Sequence, residues 1–145
     1  MSDLVFRGHI PDGYLFDADF HMWVRPQGHE IVVGATSFGL FLAGTVIAFT
    51  PKPVGAQVAC TRGLGTVECA KTVLALHAPV AMLLTQTNDA AQHDPREILG
   101  DPYGNGWMVR GHALDWERDR ARLYPSGVDA GLGRPLADAG VVLAT

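Results

Sequence analysis

Three kinds of side chain in this sequence could carry chemistry: two thiols, six imidazoles and a lysine set in an apolar run. Cys69 and His77 offer a nucleophile and a base, but no orienting acid or oxyanion element accompanies them. A hydrolase or transferase built on that pair is therefore disfavoured. His21, His29, His77, His93 and His112 lack ligand spacing such as His-x-x-x-His, and Cys60 and Cys69 form no Cys-x-x-Cys pair, so no metal site is expected. Gly63-Leu64-Gly65 reads only as a turn, because a nucleotide fingerprint needs a third glycine and a βαβ unit. Lys71 is the oddity. Of eleven Lys and Arg residues only Lys52 and Lys71 are lysines, which an arginine-preferring codon usage explains. That leaves open why Lys71 falls inside Thr66-Val67-Glu68-Cys69-Ala70-Lys71-Thr72-Val73-Leu74-Ala75-Leu76, a run with one acid and one base. Spacing alone does not decide its setting. Leu64, Val67, Lys71 and Leu74 also repeat at helical intervals, and an isolated lysine is by default a solvated side chain.

The elements around these residues are mostly short and strand-like. His21–Arg25 and His29–Gly34 read as strands about the turn Pro26-Gln27-Gly28. Ser37 could cap a short apolar helix through Ala43, ended by Gly44, with Gly44–Thr50 as the next strand. Gln57–Ala59, Leu64–Ala70, Thr72–His77 and Val80–Thr87 are strand-sized runs. Asp94-Pro95-Arg96-Glu97 predicts a helix start with Asp94 as the capping acid. Gly104-Asn105-Gly106 makes a tight turn before a strand over Trp107–Arg110, and Asp115 opens a helix over Trp116–Leu123. From Pro125 onward, Gly, Pro and Ala predict an ordered strap or a frayed tail.

A chain of 145 residues suits one domain, and 48% hydrophobic against 18% charged residues excludes a disordered protein. The formal charge of −4 argues against a general nucleic-acid binder and supplies no polybasic membrane patch. Seventeen glycines and nine prolines fit a turn-rich, mainly β fold. The twenty uncharged residues from Ile31 to Thr50 have the length of a membrane span. Gly34, Gly39 and Gly44 and four hydroxyl residues break that stretch into strand and helix pieces, so no span is expected. No signal-peptide pattern opens the sequence, which predicts a cytoplasmic protein with reduced thiols.

Neighbouring motifs change the reading of Lys71. Glu68-Cys69-Ala70-Lys71-Thr72 followed by Leu76-His77-Ala78-Pro79-Val80 resembles the lipoylation hairpin of the glycine cleavage H-protein family. His21-Met22-Trp23-Val24, Val33-Gly34-Ala35-Thr36, Leu42-Ala43-Gly44 and Asp101-Pro102-Tyr103-Gly104-Asn105-Gly106-Trp107 resemble further blocks of that family, in the same order, over roughly residues 14–123. The resemblance implies a two-sheet lipoyl-domain sandwich (a barrel-sandwich hybrid) with short peripheral helices, residues 124–145 forming a strap or tail. It implies that Lys71, at the tip of a protruding hairpin, carries lipoic acid in amide linkage. Such an arm would remove the lysine charge and end in a dithiolane that opens to two thiols, taking electrons or a thiol-bound substrate. Tethering makes delivery effectively intramolecular, at concentrations that reach roughly mM for short flexible links. The implied role is a carrier, not an enzyme.

Departures from that family point to a relative. In glycine cleavage H-proteins the glutamate of His-Glu-Trp and a polar residue opening the short helix are thought to hold the amine of the loaded arm; here those positions are Met22 and Phe38. An ammonium-bearing cargo would lose a charge-assisted partner there, worth about 1.5–3 kcal/mol. Phe38-Gly39-Leu40-Phe41-Leu42 replaces a usually polar segment, and Ala81-Met82 replaces a Ser-Gly turn. With Phe16-Asp17-Ala18-Asp19-Phe20-His21, these features resemble the lipoate-binding proteins of the bacterial sulfur-oxidising, heterodisulfide-reductase-like system. That likeness implies carriage of sulfur intermediates and electrons on lipoyl-Lys71. The implied partners are a lipoate-attaching enzyme, a heterodisulfide-reductase-like complex and a dihydrolipoamide dehydrogenase-type flavoenzyme. Glycine cleavage, or an unmodified H-like scaffold, is the alternative. Glu68, Cys69, Ala70 and Thr72 would be read by the attaching enzyme, although Glu68 could equally be a solvated hairpin acid. Cys69 lies two positions from Lys71 and could exchange with the dithiolane, or be a small buried side chain. Met22, Phe38, Phe41 and His77 are the expected arm pocket or docking surface. Three large residues in the four positions Phe38–Phe41 cannot all face inward, which predicts at least one of them exposed.

Overall fold

A computed structural model describes residues 5–8, 11–125, 128–129, 134–135 and 141–144. In chain order the strands are β1 (Val5–Gly8), β2 (Leu15–Asp17), β3 (Met22–Gln27), β4 (Glu30–Ala35), β5 (Val46–Pro51), β6 (Gln57–Val58), β7 (Gly63–Cys69), β8 (Val73–His77), β9 (Met82–Thr87), β10 (Val109–Ala113), β11 (Tyr124–Pro125), β12 (Val128–Asp129), β13 (Arg134–Pro135) and β14 (Val141–Ala144). The helices are α1 (Ser37–Ala43), α2 (Asp89–His93), α3 (Arg96–Gly100) and α4 (Trp116–Asp119), the last running into a 3-10 turn at Arg120–Arg122.

Seven strands form one antiparallel sheet in the order β11-β2-β3-β4-β10-β9-β6, and three form a second in the order β5-β7-β8. The architecture is mainly β with two principal sheets and short helices, as expected. Alternation decides which faces meet. Val24, Ile31 and Val33 of the large sheet and Phe49, Val67 and Leu76 of the small one share a single buried cluster with Leu40 of α1. At about 25 cal/mol per Å² of apolar area removed from water, such side chains contribute about 1.5–3 kcal/mol each when fully buried.

The other face of the large sheet is closed locally by Trp23, fully buried although outside that cluster. Its indole lies across the partner strand at Gly34, where an added Cβ would come within 2.6 Å of the ring. Trp23 Nε1 donates to the Pro102 carbonyl at 3.0 Å, and Tyr14 packs edge-on against the indole at 5.0 Å.

Several local expectations are corrected. The α1 cap is Thr36, whose hydroxyl accepts from Gly39 N–H, while Ser37 is already helical. α3 begins at Arg96 with Pro95 before it, and Asp94 acts as the expected capping acid: its Oδ1 accepts from the Arg96 amide at 3.3 Å while also pairing with the Arg96 guanidinium at 2.8 Å. The strand after the glycine turn begins at Val109 and runs to Ala113, since Asn88 holds the Asn105 and Trp107 carbonyls out of the ladder. The helix opened by Asp115 keeps α form only to Asp119. α2, capped by Asn88, is an element the pattern reading left unassigned. The expected strap contains β11 to β14. Its remaining residues lie outside the described ones.

The uncharged stretch 31–50 resolves into β4, α1 and β5, and no helix among the described residues is long and apolar enough to cross a membrane. Ala81-Met82 enters β9 with ordinary backbone; His21 and Thr61 are the non-glycine residues of positive φ among those described.

Candidate functional site

The run around Lys71 is a hairpin. Glu68 pairs with Val73 and Thr66 with Ala75, and the Cys69 amide donates to the Thr72 carbonyl at 2.8 Å, leaving Ala70 and Lys71 at the bend. Pairing of β7 with β5 overrides the helical spacing of the apolar positions, because a strand flanked on both sides satisfies its backbone without a helix. Neither bend residue is left-handed, so no glycine is required. The Ala70 amide instead finds the Thr45 carbonyl at 2.8 Å, which ties the tip to the chain leaving α1. Ala70, Lys71 and Thr72 are exposed, as is Glu68.

The lysine stem has a defined rest. Gly44 ends α1 at φ +87, and a Cβ built there would lie 3.8 Å from the Cγ, Cδ and Cε atoms of Lys71. The methylenes thus run over the glycine, and Lys71 enters no ion pair among the described residues. An exposed, uncommitted amine on a bend fits an amide-linked prosthetic arm.

From Gly44 an aromatic track leads away along α1. Phe41 and Phe38 are half-buried while Leu40 between them points into the core, so none of the three is fully exposed, contrary to expectation. Helical rise places Phe38 about 9 Å back from Gly44. The Phe38 ring meets His21 edge-on at 5.2 Å; next along the chain, Phe20 stacks on His77 at 4.0 Å. His21 turns left-handed at φ +59 and approaches so closely that a Cβ on Gly39 would stand 2.7 Å from its Cβ. Burial pushes the His21 imidazole below its usual pKa, against the raising influence of Asp17 and Asp19. His77 Nδ1 lies 2.8 Å from the Thr61 carbonyl, so that nitrogen carries the proton.

Met22 does not join this track: it is 1% exposed and belongs to the core cluster. Cys69 is likewise in the core at 4%, its thiol pushed up by burial and by Glu68. A Cys69–His77 catalytic pair is excluded by register. With Cys69 set against Thr72 and His77 five residues further along β8, the two stand roughly 17 Å apart at about 3.4 Å per residue.

Two clamps missed by the sequence reading position the surface. Tyr103 accepts from the Ser37 amide at 3.0 Å and lies 3.2 Å from the Ser37 hydroxyl, while its carbonyl accepts from Tyr14. The Asp-Pro-Tyr block thus holds the start of α1, and the spacing of that block gave no hint of its target. Tyr103→Phe should cost about 1 kcal/mol and loosen α1, read as a lower melting temperature with faster amide exchange confined to residues 37–40.

The second clamp joins α4 and its 3-10 turn to the Ala-Pro-Val corner. Arg122 Nη1 reaches buried Asp17 at 2.8 Å and the Pro79 carbonyl at 3.1 Å, while Asp119 accepts from Ala81 N–H at 2.9 Å and from Arg118 at 2.8 Å. Burial by itself would raise the Asp119 carboxyl, but these hydrogen bonds outweigh it and hold the group below the usual carboxylate value. A depressed pKa contributes stability above the unfolded value of about 3.9, and that contribution is lost as pH falls through the lower folded value. Melting curves of the parent and Asp119→Asn should therefore differ most near neutrality and converge as pH drops below about 4. A difference constant in pH would contradict this.

A two-sheet β fold presenting an exposed lysine on a β-bend is an arrangement that suits a carrier with a tethered group. The glycine cleavage H-protein family model matches residues 15–126. A glycine cleavage system H protein from Chlorobaculum parvum is 38% identical over 127 residues, covering 86% of this chain and 98% of that one. Glycine cleavage system H protein 5 from Aquifex aeolicus is 28% identical over 131 residues, 88% of each chain. A crystal structure of a glycine cleavage system H protein from Mycobacterium marinum superposes with a TM-score of 0.68 at 32% identity, covering 72% of this chain and 87% of that one. The chain belongs to the glycine cleavage H-protein family. Members of that family are lipoyl carriers that serve partner enzymes and are not themselves enzymes. They carry lipoate on a lysine and work with lipoate-attaching enzymes and a dihydrolipoamide dehydrogenase flavoenzyme.

Proposed function

We propose that this chain, as one H-protein-like domain, carries lipoic acid in amide linkage to Lys71 and relays the aminomethyl unit of glycine cleavage between partner enzymes. The observation that carries the reading is the exposed Lys71 amine at the β7–β8 bend, its stem laid over Gly44, in a chain that matches the family from residue 15 to residue 126. When bound, lipoate supplies a dithiol that holds electrons or a covalent cargo. The residues around it present and steer: Ala70 and Thr45 fix the tip, and Glu68, Cys69, Ala70 and Thr72 shape the segment an attaching enzyme reads, Cys69 from within the core.

The names of the relatives favour glycine cleavage over sulfur oxidation, which reverses the finer expectation from the sequence. One observation keeps the sulfur reading as the second. Met22 is buried and Phe38 and Phe41 line the helix beside Lys71, so α1 brings no acid to an ammonium cargo, while rings suit a polarizable sulfur adduct. On that reading the arm serves a heterodisulfide-reductase-like complex. Incubating the lipoylated protein with glycine and glycine decarboxylase separates the two. A mass gain on the arm supports glycine cleavage. Intact lipoylation with no gain rejects it and leaves sulfur carriage.

A further inference from the structure

The outer face of the large sheet holds two arginines that the fold leaves without an acid. Arg25 of β3 and Arg110 of β10 both stand opposite Val32 of β4, one on each side. Residues opposite one another share a face, so Arg25, Val32 and Arg110 form a cross-strand row that spans roughly 10 Å at about 4.8 Å per strand. Val32 is fully buried yet outside the core cluster, as a side chain covered from the solvent side would be. Both arginines are half-buried, the state of a stem laid on apolar surface with its head towards water.

Each guanidinium is stacked on a ring. Arg25 Cζ lies 5.5 Å from the centroid of Tyr14, and Arg110 Cζ lies 5.0 Å from that of Trp107. The Tyr14 ring is held in turn, its hydroxyl donating to the Tyr103 carbonyl. The charges are unanswered all the same. Neither arginine enters an ion pair among the described residues, whereas Arg96, Arg118, Arg120 and Arg122 all do. Arg110 Nη1 donates only to the neutral Gln86 side chain at 3.3 Å, and Glu30, an acid on the same face of β4, accepts from Thr85 at 2.8 Å. Among the described residues, the buried side-chain nitrogens and oxygens without a hydrogen-bond partner are Nε of Arg25 and Nε of Arg110. A buried donor left without an acceptor is destabilising and calls for an explanation.

We propose that Arg25 and Arg110 form a docking point for carboxylates on the surface of a partner protein, across the core from the small sheet that ends at Lys71. A carboxylate matches the planar fork of a guanidinium, and two of them at the spacing of this row would answer both charges. Arginines beside Tyr and Trp are the composition of interface hot spots. Stacking holds each fork in place beforehand, so less freedom is lost on binding. A chain of formal charge −4 repels nucleic acid and anionic membranes as a whole, which leaves a local acidic patch on a protein as the occupant. The docking point does not depend on the reading of Lys71. If that reading holds, a partner seated here leaves the bend and its arm free to move.

NMR titration of the isotope-labelled full-length chain tests the proposal, because arginine Nε–H groups give signals of their own. The probe is a hexaglutamate peptide, with sodium chloride at equal ionic strength as the blank. The Nε–H signals of Arg25 and Arg110 should shift saturably with the peptide and stay in place with the salt. Arg25→Met with Arg110→Met keeps an apolar stem over Val32 without the charge. Read from the amides of β3, β4 and β10, peptide binding by that variant should weaken about tenfold or more. Arg25→Lys with Arg110→Lys keeps the charge but not the fork and should lose several-fold. Arg62→Gln, at an exposed arginine that also lacks an ion pair, should bind as the parent does. Should both double variants unfold, the parent titration decides alone. Nε–H signals that do not move, or that move equally with salt, overturn the proposal. An equal loss in Arg62→Gln overturns it too, since binding would then follow overall charge. Saturable shifts with inorganic phosphate but none with the peptide would make the site one for a small anion, against the proposal. Shifts of the same signals on concentrating the parent alone would make a second copy the occupant, which also contradicts it.

Discussion

Lys71→Arg should abolish lipoyl attachment completely while leaving the melting temperature essentially unchanged. The guanidinium stays charged under all working conditions and cannot serve as the acyl acceptor that a lysine amine provides. The position is an exposed bend whose backbone bonds, Cys69 to Thr72 and Ala70 to Thr45, do not involve the side chain. Substitutions at such sites fall within about 0.5 kcal/mol. Incubation with a lipoate ligase, lipoate and ATP, followed by intact mass, should show one adduct on the parent and none on the variant. The second lysine provides the control: Lys52→Arg should keep the adduct.

Met22→Glu is the second substitution with a large expected effect, and it acts on stability. By resemblance, glycine cleavage H-proteins place a glutamate at this position, which suggests a harmless exchange. The structure argues otherwise. Met22 is 1% exposed among Val24, Val33, Ala35 and Leu40. A carboxylate there has no partner, and leaving a buried charge uncompensated costs about 3–5 kcal/mol. The glutamate would escape part of that cost by protonating, so its pKa must rise and the loss must be greatest at high pH, above its folded value. Denaturant titrations at two pH values check this: the variant should lie closest to the parent under acidic conditions. A stable variant with an ordinary carboxylate would mean that the Met22 site opens to solvent, and a cargo pocket would then include it.

The contrast between these two positions explains how far the sequence could be read. The Lys71 hairpin was legible only because its flanks, Glu-Cys-Ala-Lys-Thr and Ala-Pro-Val, are local blocks that resemble a family motif; spacing left helix and strand open, and pairing of β7 with β5 and β8 is what decides between them. Met22 was misleading, since its burial is set by a core cluster drawn from residues far apart in the chain, such as Leu40 and Val67, and no local pattern reports that. The expectation that at least one of Phe38, Leu40 and Phe41 is exposed failed for a similar reason: half-burial is a property of the neighbours, here His21 against Phe38. The clamps were invisible because each joins residues far apart, Tyr103 to Ser37 and Arg122 to Asp17. Caps failed by one residue, Thr36 for Ser37, where two adjacent hydroxyls compete for one role.

The same reasoning limits what decides the cargo. Family membership gives the carrier role; on the function proposed above, the electrostatics of the track would govern what the arm can lay against it. An acid restored at the surface, Phe38→Asp, would offer an ammonium cargo a partner without burying a charge as deeply as Met22→Glu does, and so separates pocket chemistry from folding.

The central claim is that one side chain bears the prosthetic arm. Proteolytic peptide mapping by mass spectrometry, on protein purified from the organism that makes it, tests that claim most directly. The account predicts a lipoyl-sized increment on the peptide containing Lys71 and none on the peptide containing Lys52. An unmodified Lys71 in the native protein, or an increment carried by Lys52, would contradict it.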